Sequence, residues 1–238
     1  MAMEKPASDL LRNKTARVAG LLYLIMALCS AFGMIYVDSK IYVAGDAAAT
    51  AGNIQAFAGL IRLGFVSSLV AQISFLFLVY VLYKLLKSVD IDLARIMVVL
   101  VVASVPLTCL NLLNQLAPLI LLNGAGYASA FDPAQLHALA MMFLDLHKQG
   151  IFIAQIFWGL WLFPLGILVF RSGFIPKVLG ILLVIAGIGY LVDSLSFFLV
   201  PNLGISVSSV TFIGELLFLL WLLIKGVNER ELTIKEPA

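Results

Sequence analysis

Two carboxylic acids lie inside strongly apolar sequence, Asp193 in the run 178–200 and Glu215 in the run 207–225. Carboxyls placed this way can act as general acid and base, or hold a polar ligand away from water. If both runs are helices rising 1.5 Å per residue, Asp193 sits about 10 Å and Glu215 about 12 Å from the same membrane face. Asn111, Asn114 and Gln115 fall about 16, 12 and 10 Å from that face, Gln72 about 15 Å and Gln155 about 8 Å. Arg62, His147 and Lys148 stand at the mouth. A buried carboxyl must be protonated, hydrated or paired, and Arg62 is the natural partner. The candidate ligand-binding set is therefore Arg62, Gln72, Asn111, Asn114, Gln115, His147, Gln155, Asp193 and Glu215.

Helical phase groups these residues. Ser104, Thr108, Asn111 and Gln115 share one face, as do Ala186, Gly189, Asp193 and Ser196, then Ser208, Thr211 and Glu215, and finally His147, Gln155 and Trp158. One polar or small-residue stripe per helix describes an inward-facing surface, since lipid cannot satisfy such groups. The expectation is a polar cavity open to the outer half of a bilayer. The plainer alternative is that the amides and hydroxyls bond helices together, at about 0.6–2 kcal/mol each.

The elements that must hold these residues follow from composition. The chain has 238 residues, 63% of them hydrophobic and 12% charged, with a mean hydropathy of +1.09. A water-soluble domain is about half apolar and a quarter charged. At about 20 residues per crossing, the apolar runs predict an all-α bundle of six transmembrane helices, at 17–37, 62–86, 94–122, 150–170, 178–200 and 207–225. Two outer amphipathic helices, about 46–60 and 133–148, lie between them, with an N-terminal segment 1–16 and a tail 226–238. Continuous apolar runs exclude barrel strands, which are about ten residues long and alternate. The first run is too long for a signal-peptide core and closes on no cleavage pattern, so it reads as a span. No length remains for a soluble catalytic or nucleic-acid-binding domain, so membrane lipids and a small or lipid-like ligand are the expected partners.

Orientation comes from the fifteen Lys and Arg. With the N-terminus inside, only Lys40, Arg62 and Lys148 lie outside, which places both termini in the cytoplasm. Cys29 and Cys109 fall within apolar runs and read as small buried hydrophobes. No HExxH, CxxC, Walker A or dinucleotide glycine pattern occurs, so no cofactor is implied. The two histidines, His137 and His147, point about 80° apart on one helix and do not make a metal site. Pro106, Pro118 and Pro164 are expected to kink helices.

The two outer segments superpose at an offset of 86 residues: Asp46 on Asp132, Ala48 on Ala134, Phe57 on Phe143, Leu60 on Leu146, Arg62 on Lys148 and Gly64 on Gly150. Each opens with an Asp suited to cap a helix and ends with a basic residue before a span. The first four helices thus read as two copies of a hairpin, with chance similarity in apolar sequence as the alternative.

The strings Gly45-Asp46-Ala47-Ala48-Ala49-Thr50-Ala51, Arg62-Leu63-Gly64-Phe65, Phe143-Leu144-Asp145-Leu146-His147 and Arg171-Ser172-Gly173-Phe174-Ile175-Pro176, with Gly189-Tyr190-Leu191-Val192-Asp193-Ser194, resemble the prokaryotic membrane family called domain of unknown function 4386. The resemblance runs from about Arg17 to Lys225 and implies a polytopic membrane protein without a transferable activity. Its strings contain Arg62, Asp145, His147 and Asp193, whereas Glu215 lies outside them. The expected function is binding, or transport, of a small or lipid-like molecule in the outer cavity. The alternatives are an intramembrane enzyme with Asp193 and Glu215 as acid and base, and a structural or partner-stabilising subunit.

Overall fold

The computed structural model describes residues 5–124, 126–200, 204 and 206–227. Most of the expected tail 226–238, including Arg230 and Lys235, and most of the turn 201–206 lie outside the described residues. The protein is an all-α membrane protein, 87% helical.

The first helix, α1 (Lys5–Ser30), runs through a π-helical turn, Ala31–Tyr36, into α2 (Val37–Ile41). Next come α3 (Ala47–Ala56), α4 (Ala58–Leu86) and α5 (Ile91–Leu122), then a 3₁₀ turn, Gly126–Ala130. The chain continues as α6 (Pro133–Leu160), α7 (Leu162–Ser172), α8 (Lys177–Leu199), α9 (Ser208–Thr211) and α10 (Ile213–Ile224). Among the described residues, five stretches are long and apolar enough to cross a membrane: Leu11–Ile41, Ala58–Leu86, Ile91–Leu122, Pro133–Ser172 and Lys177–Leu199. The remaining apolar stretch, Ser208–Ile224, is shorter and is interrupted at Phe212.

Helix ends follow local chemistry. Asp46 Oδ1 accepts from Ala49 N at 2.8 Å, and Asp132 Oδ1 accepts from Gln135 N at 2.9 Å, so both members of the 86-residue pair cap a helix. Gln135 Oε1 accepts in turn from Asp132 N, completing a reciprocal cap. The two copies then diverge: α3 is separated from α4 at Phe57, whereas the expected helix 133–148 and the span after it form one helix, α6. No proline interrupts α6 after its first residue, and Gly150 lies mid-helix. Pro106 and Pro118 stay inside α5, while the break at Trp161 comes three residues before Pro164, whose ring opposes the carbonyl of Leu160. Gly173, with φ 75°, ends α7 in the left-handed conformation that L side chains disfavour.

The chain forms two compact units. One comprises Ile25–Ile73 and Val105–Ile151 and has a core of Val37, Ile41, Ile54, Ile61, Leu119 and Leu144. We call it the loop unit, because it carries both paired outer segments. The other comprises the described residues up to Leu24, Ser74–Ser104 and those from Phe152 onward. Its core is aromatic: the Trp161 ring lies 5.0 Å from Phe75 and 6.3 Å from Tyr23, and Tyr23 lies 6.4 Å from Phe218. We call it the aromatic unit. Leu63, Val66, Ile73, Leu110 and Leu113 of the loop unit, and Phe77, Val99, Leu195 and Ile224 of the aromatic unit, stand exposed, as lipid-facing side chains must.

Candidate functional site

In the loop unit, α5 and α6 are joined by a reciprocal pair: Asn111 Nδ2 donates to the His147 carbonyl at 2.8 Å, and His147 Nδ1 lies 3.0 Å from the Asn111 carbonyl. Gly150 makes room for this contact, because a Cβ there would overlap the Asn111 amide. Asn114 Nδ2 donates to Asn111 Oδ1 at 3.2 Å and fixes the amide's orientation. A carbonyl can only accept, so Nδ1 carries the proton. The imidazole Nε2 is buried without a partner.

One turn further along α5, Gln115 Nε2 donates to the Gly33 carbonyl at 3.1 Å and to Asp38 Oδ1 at 3.0 Å. Gly33 lies in the π-helical turn, whose altered ladder leaves its carbonyl for a side chain, a feature that often marks functional positions. Asp38 and His147 lie within electrostatic reach of each other. Together with Tyr42, Lys148 and the apolar Ile41 and Ile151, they line a cleft of about 330 Å³. At its edge the Tyr42 hydroxyl donates to Asp145 Oδ1 at 3.1 Å. Loss of surrounding water and the Asp145 carboxylate push the Tyr42 phenol above its usual range.

Arg62 belongs to the loop unit. It is exposed and lines an apolar groove of about 540 Å³ with Phe65, Leu116 and Ile120. Gln72 is buried, with no partner for Oε1.

Gln155, Asp193 and Glu215 belong to the aromatic unit. Gln155 is half-buried, and its Oε1 has no partner. Asp193 is 4% exposed, and its carboxylate accepts from Val207 N at 2.6 Å, Ser208 N at 3.0 Å and Ser206 Oγ at 3.4 Å. Glu215 accepts from the Tyr23 hydroxyl, and the Tyr190 hydroxyl is its second phenol. The partners of the two acids are therefore loop amides and phenols. Asp193→Ala should destabilise the protein by about 1–2 kcal/mol, the scale of a lost helix cap, and Asp193→Asn by less. Thermal unfolding in detergent measures the loss, and amide exchange at Val207 and Ser208 should rise with it. Unchanged exchange would mean that something else holds the segment.

Asp38 and Tyr42 escape sequence reasoning because they follow the first apolar run and read as its boundary. The available signal was the acid immediately after Val37, facing the His147 mouth once the runs are set side by side.

The family model described as domain of unknown function (DUF4386) matches residues 18–226. An uncharacterised protein of Archaeoglobus fulgidus is 40% identical over 102 residues, covering 42% of this chain and 59% of that protein. The chain thus spans about three fifths of this relative's length. No solved structure matches it.

Proposed function

The chain belongs to the family described as domain of unknown function (DUF4386), and on that premise we propose that it binds a small or lipid-like molecule in the cleft between Asp38 and His147. The observation that carries this reading is a buried His147 whose Nε2 has no partner, set in the wall of a cleft of about 330 Å³. Unpaired buried polar atoms are rare enough to need a reason. The volume falls at the lower end of the range of about 300–1,000 Å³ that holds small ligands. Asn111, Asn114 and Gln115 serve as supports that hold the imidazole and the carboxylate in place.

In the same reading the cleft faces the outer side of a prokaryotic plasma membrane and both termini lie in the cytoplasm. The support is the charge distribution, since few of the basic residues fall on the side of Lys40, Arg62 and Lys148. The test is occupancy. Protein extracted in mild detergent should retain an amphiphilic molecule detectable by native mass spectrometry. Ile151→Trp, which fills the cleft, should reduce that occupancy about tenfold or more. Equal retention by the filled variant would refute the site.

A further inference from the structure

Resting on the reading of the cleft as a binding site, its lining also selects the chemistry that enters. Asp38 is half-buried, its described partner is the Gln115 amide, and among the described residues no cation lies within ion-pair distance of it. His147, 3% exposed, is held through Nδ1 against the Asn111 carbonyl, and its Nε2 is enclosed by protein. The polar floor of the cleft is therefore the Asp38 carboxylate. A phosphate or carboxylate placed beside Asp38 would meet like charge. A neutral hydrocarbon would leave the carboxylate short of donors, and removing it from water is then costly. A protonated primary amine brings a positive charge and three N–H donors, so it satisfies the floor.

The walls extend the specification. Ile41, Leu144 and Ile151 are apolar, and Lys148 stands exposed at the rim as a point charge. We propose that the cleft takes the ammonium end of an ethanolamine-phosphate group, with the ammonium on Asp38, the phosphate toward Lys148 and any hydrocarbon along the apolar wall. Such a group occurs as a lipid headgroup and as a free molecule.

The test uses the full chain in nanodiscs of phosphatidylglycerol, to which short-chain phosphatidylethanolamine, short-chain phosphatidylglycerol or free phosphoethanolamine is added. Binding is read by native mass spectrometry. The amine lipid should bind about tenfold more tightly than the glycerol lipid, the size of one charge-assisted pair. Asp38→Asn, which keeps an acceptor for Gln115, should erase that preference while its unfolding midpoint shows a folded protein. Lys148→Gln should weaken the phosphate-bearing probe a few-fold without changing binding of ethanolamine alone. Binding of free phosphoethanolamine at the strength of the lipid assigns recognition to the headgroup. Much weaker binding of the free molecule assigns part of it to the hydrocarbon wall, and both results keep the amine. Equal binding of the two lipids to the wild-type chain, lost in Ile151→Trp, overturns the amine and leaves the binding cleft. Binding that Ile151→Trp does not alter overturns the cleft itself.

Discussion

Gly180→Val should cost the protein several kcal/mol and Gly180→Ala about 1–3 kcal/mol, the range for forcing extra carbon into a packed interior. A Cβ at Gly180 would lie 2.5 Å from the Gly166 carbonyl oxygen and 2.8 Å from Phe170 N, both backbone atoms that no rotamer change can move. The contact is reciprocal, with a Cβ at Gly166 falling 2.7 Å from the Gly180 oxygen. The same exchange occurs seven residues away on each side, between Gly159 and Gly187, at 2.8 Å in both directions. The end of α6 and then α7 therefore touch α8 backbone to backbone at glycines seven residues apart, the small-residue packing that replaces hydrophobic driving force in a bilayer. Gly52 in α3 is the control: its added Cβ meets nothing within 4 Å, and its φ lies outside the left-handed region. Gly52→Ala should stabilise the protein by about 0.5–1 kcal/mol through better helix propensity. Thermal unfolding of the three variants in one detergent decides the matter. A Gly180→Ala variant as stable as the Gly52→Ala variant would show that α7 and α8 can move apart without loss.

This contact shows which part of the fold a sequence makes legible. Apolar length and the positions of charge predict helices and their rough limits, because a bilayer forces internal hydrogen bonding on any chain that crosses it. The caps at Asp46 and Asp132 are equally legible, since the cap chemistry is local. Partnership across the chain is not local. Asp193 reads as a chemical group by its depth, yet its donors are the backbone amides of Val207 and Ser208, which carry no side-chain signature. Asp38 reads as the end of a span, and only the π-helical turn with Gln115 brings it into the His147 cleft. His147 was visible as a polar residue at a mouth. Its ring orientation depends on a carbonyl 36 positions away, and periodicity reports a face without naming what lies against it.

Glu215 is the sharpest case, because its partner Tyr23 is 192 residues away. Tyr23 is 2% exposed and caged by Trp161 and Phe218, so its hydroxyl has no route to water when the carboxyl is removed. Tyr23→Phe leaves the half-buried carboxyl with Tyr190 alone and should cost about 1–3 kcal/mol, the penalty for stranding one partner of a hydrogen bond. Glu215→Leu strands two phenols and should cost a similar amount. The triple variant Tyr23→Phe, Tyr190→Phe and Glu215→Leu strands nothing. Buried polar clusters exchanged whole for apolar side chains are often neutral or stabilising, so its unfolding midpoint should return to within about 1 kcal/mol of the wild type. The single losses are then strongly non-additive, as expected of three residues that form one unit. A triple variant that loses the sum of the single costs would mean that Glu215 answers to a group other than the two phenols. Restored stability would show instead that the fold does not require the cluster, and that retaining a carboxyl between two phenols costs the aromatic unit nothing only while all three are present.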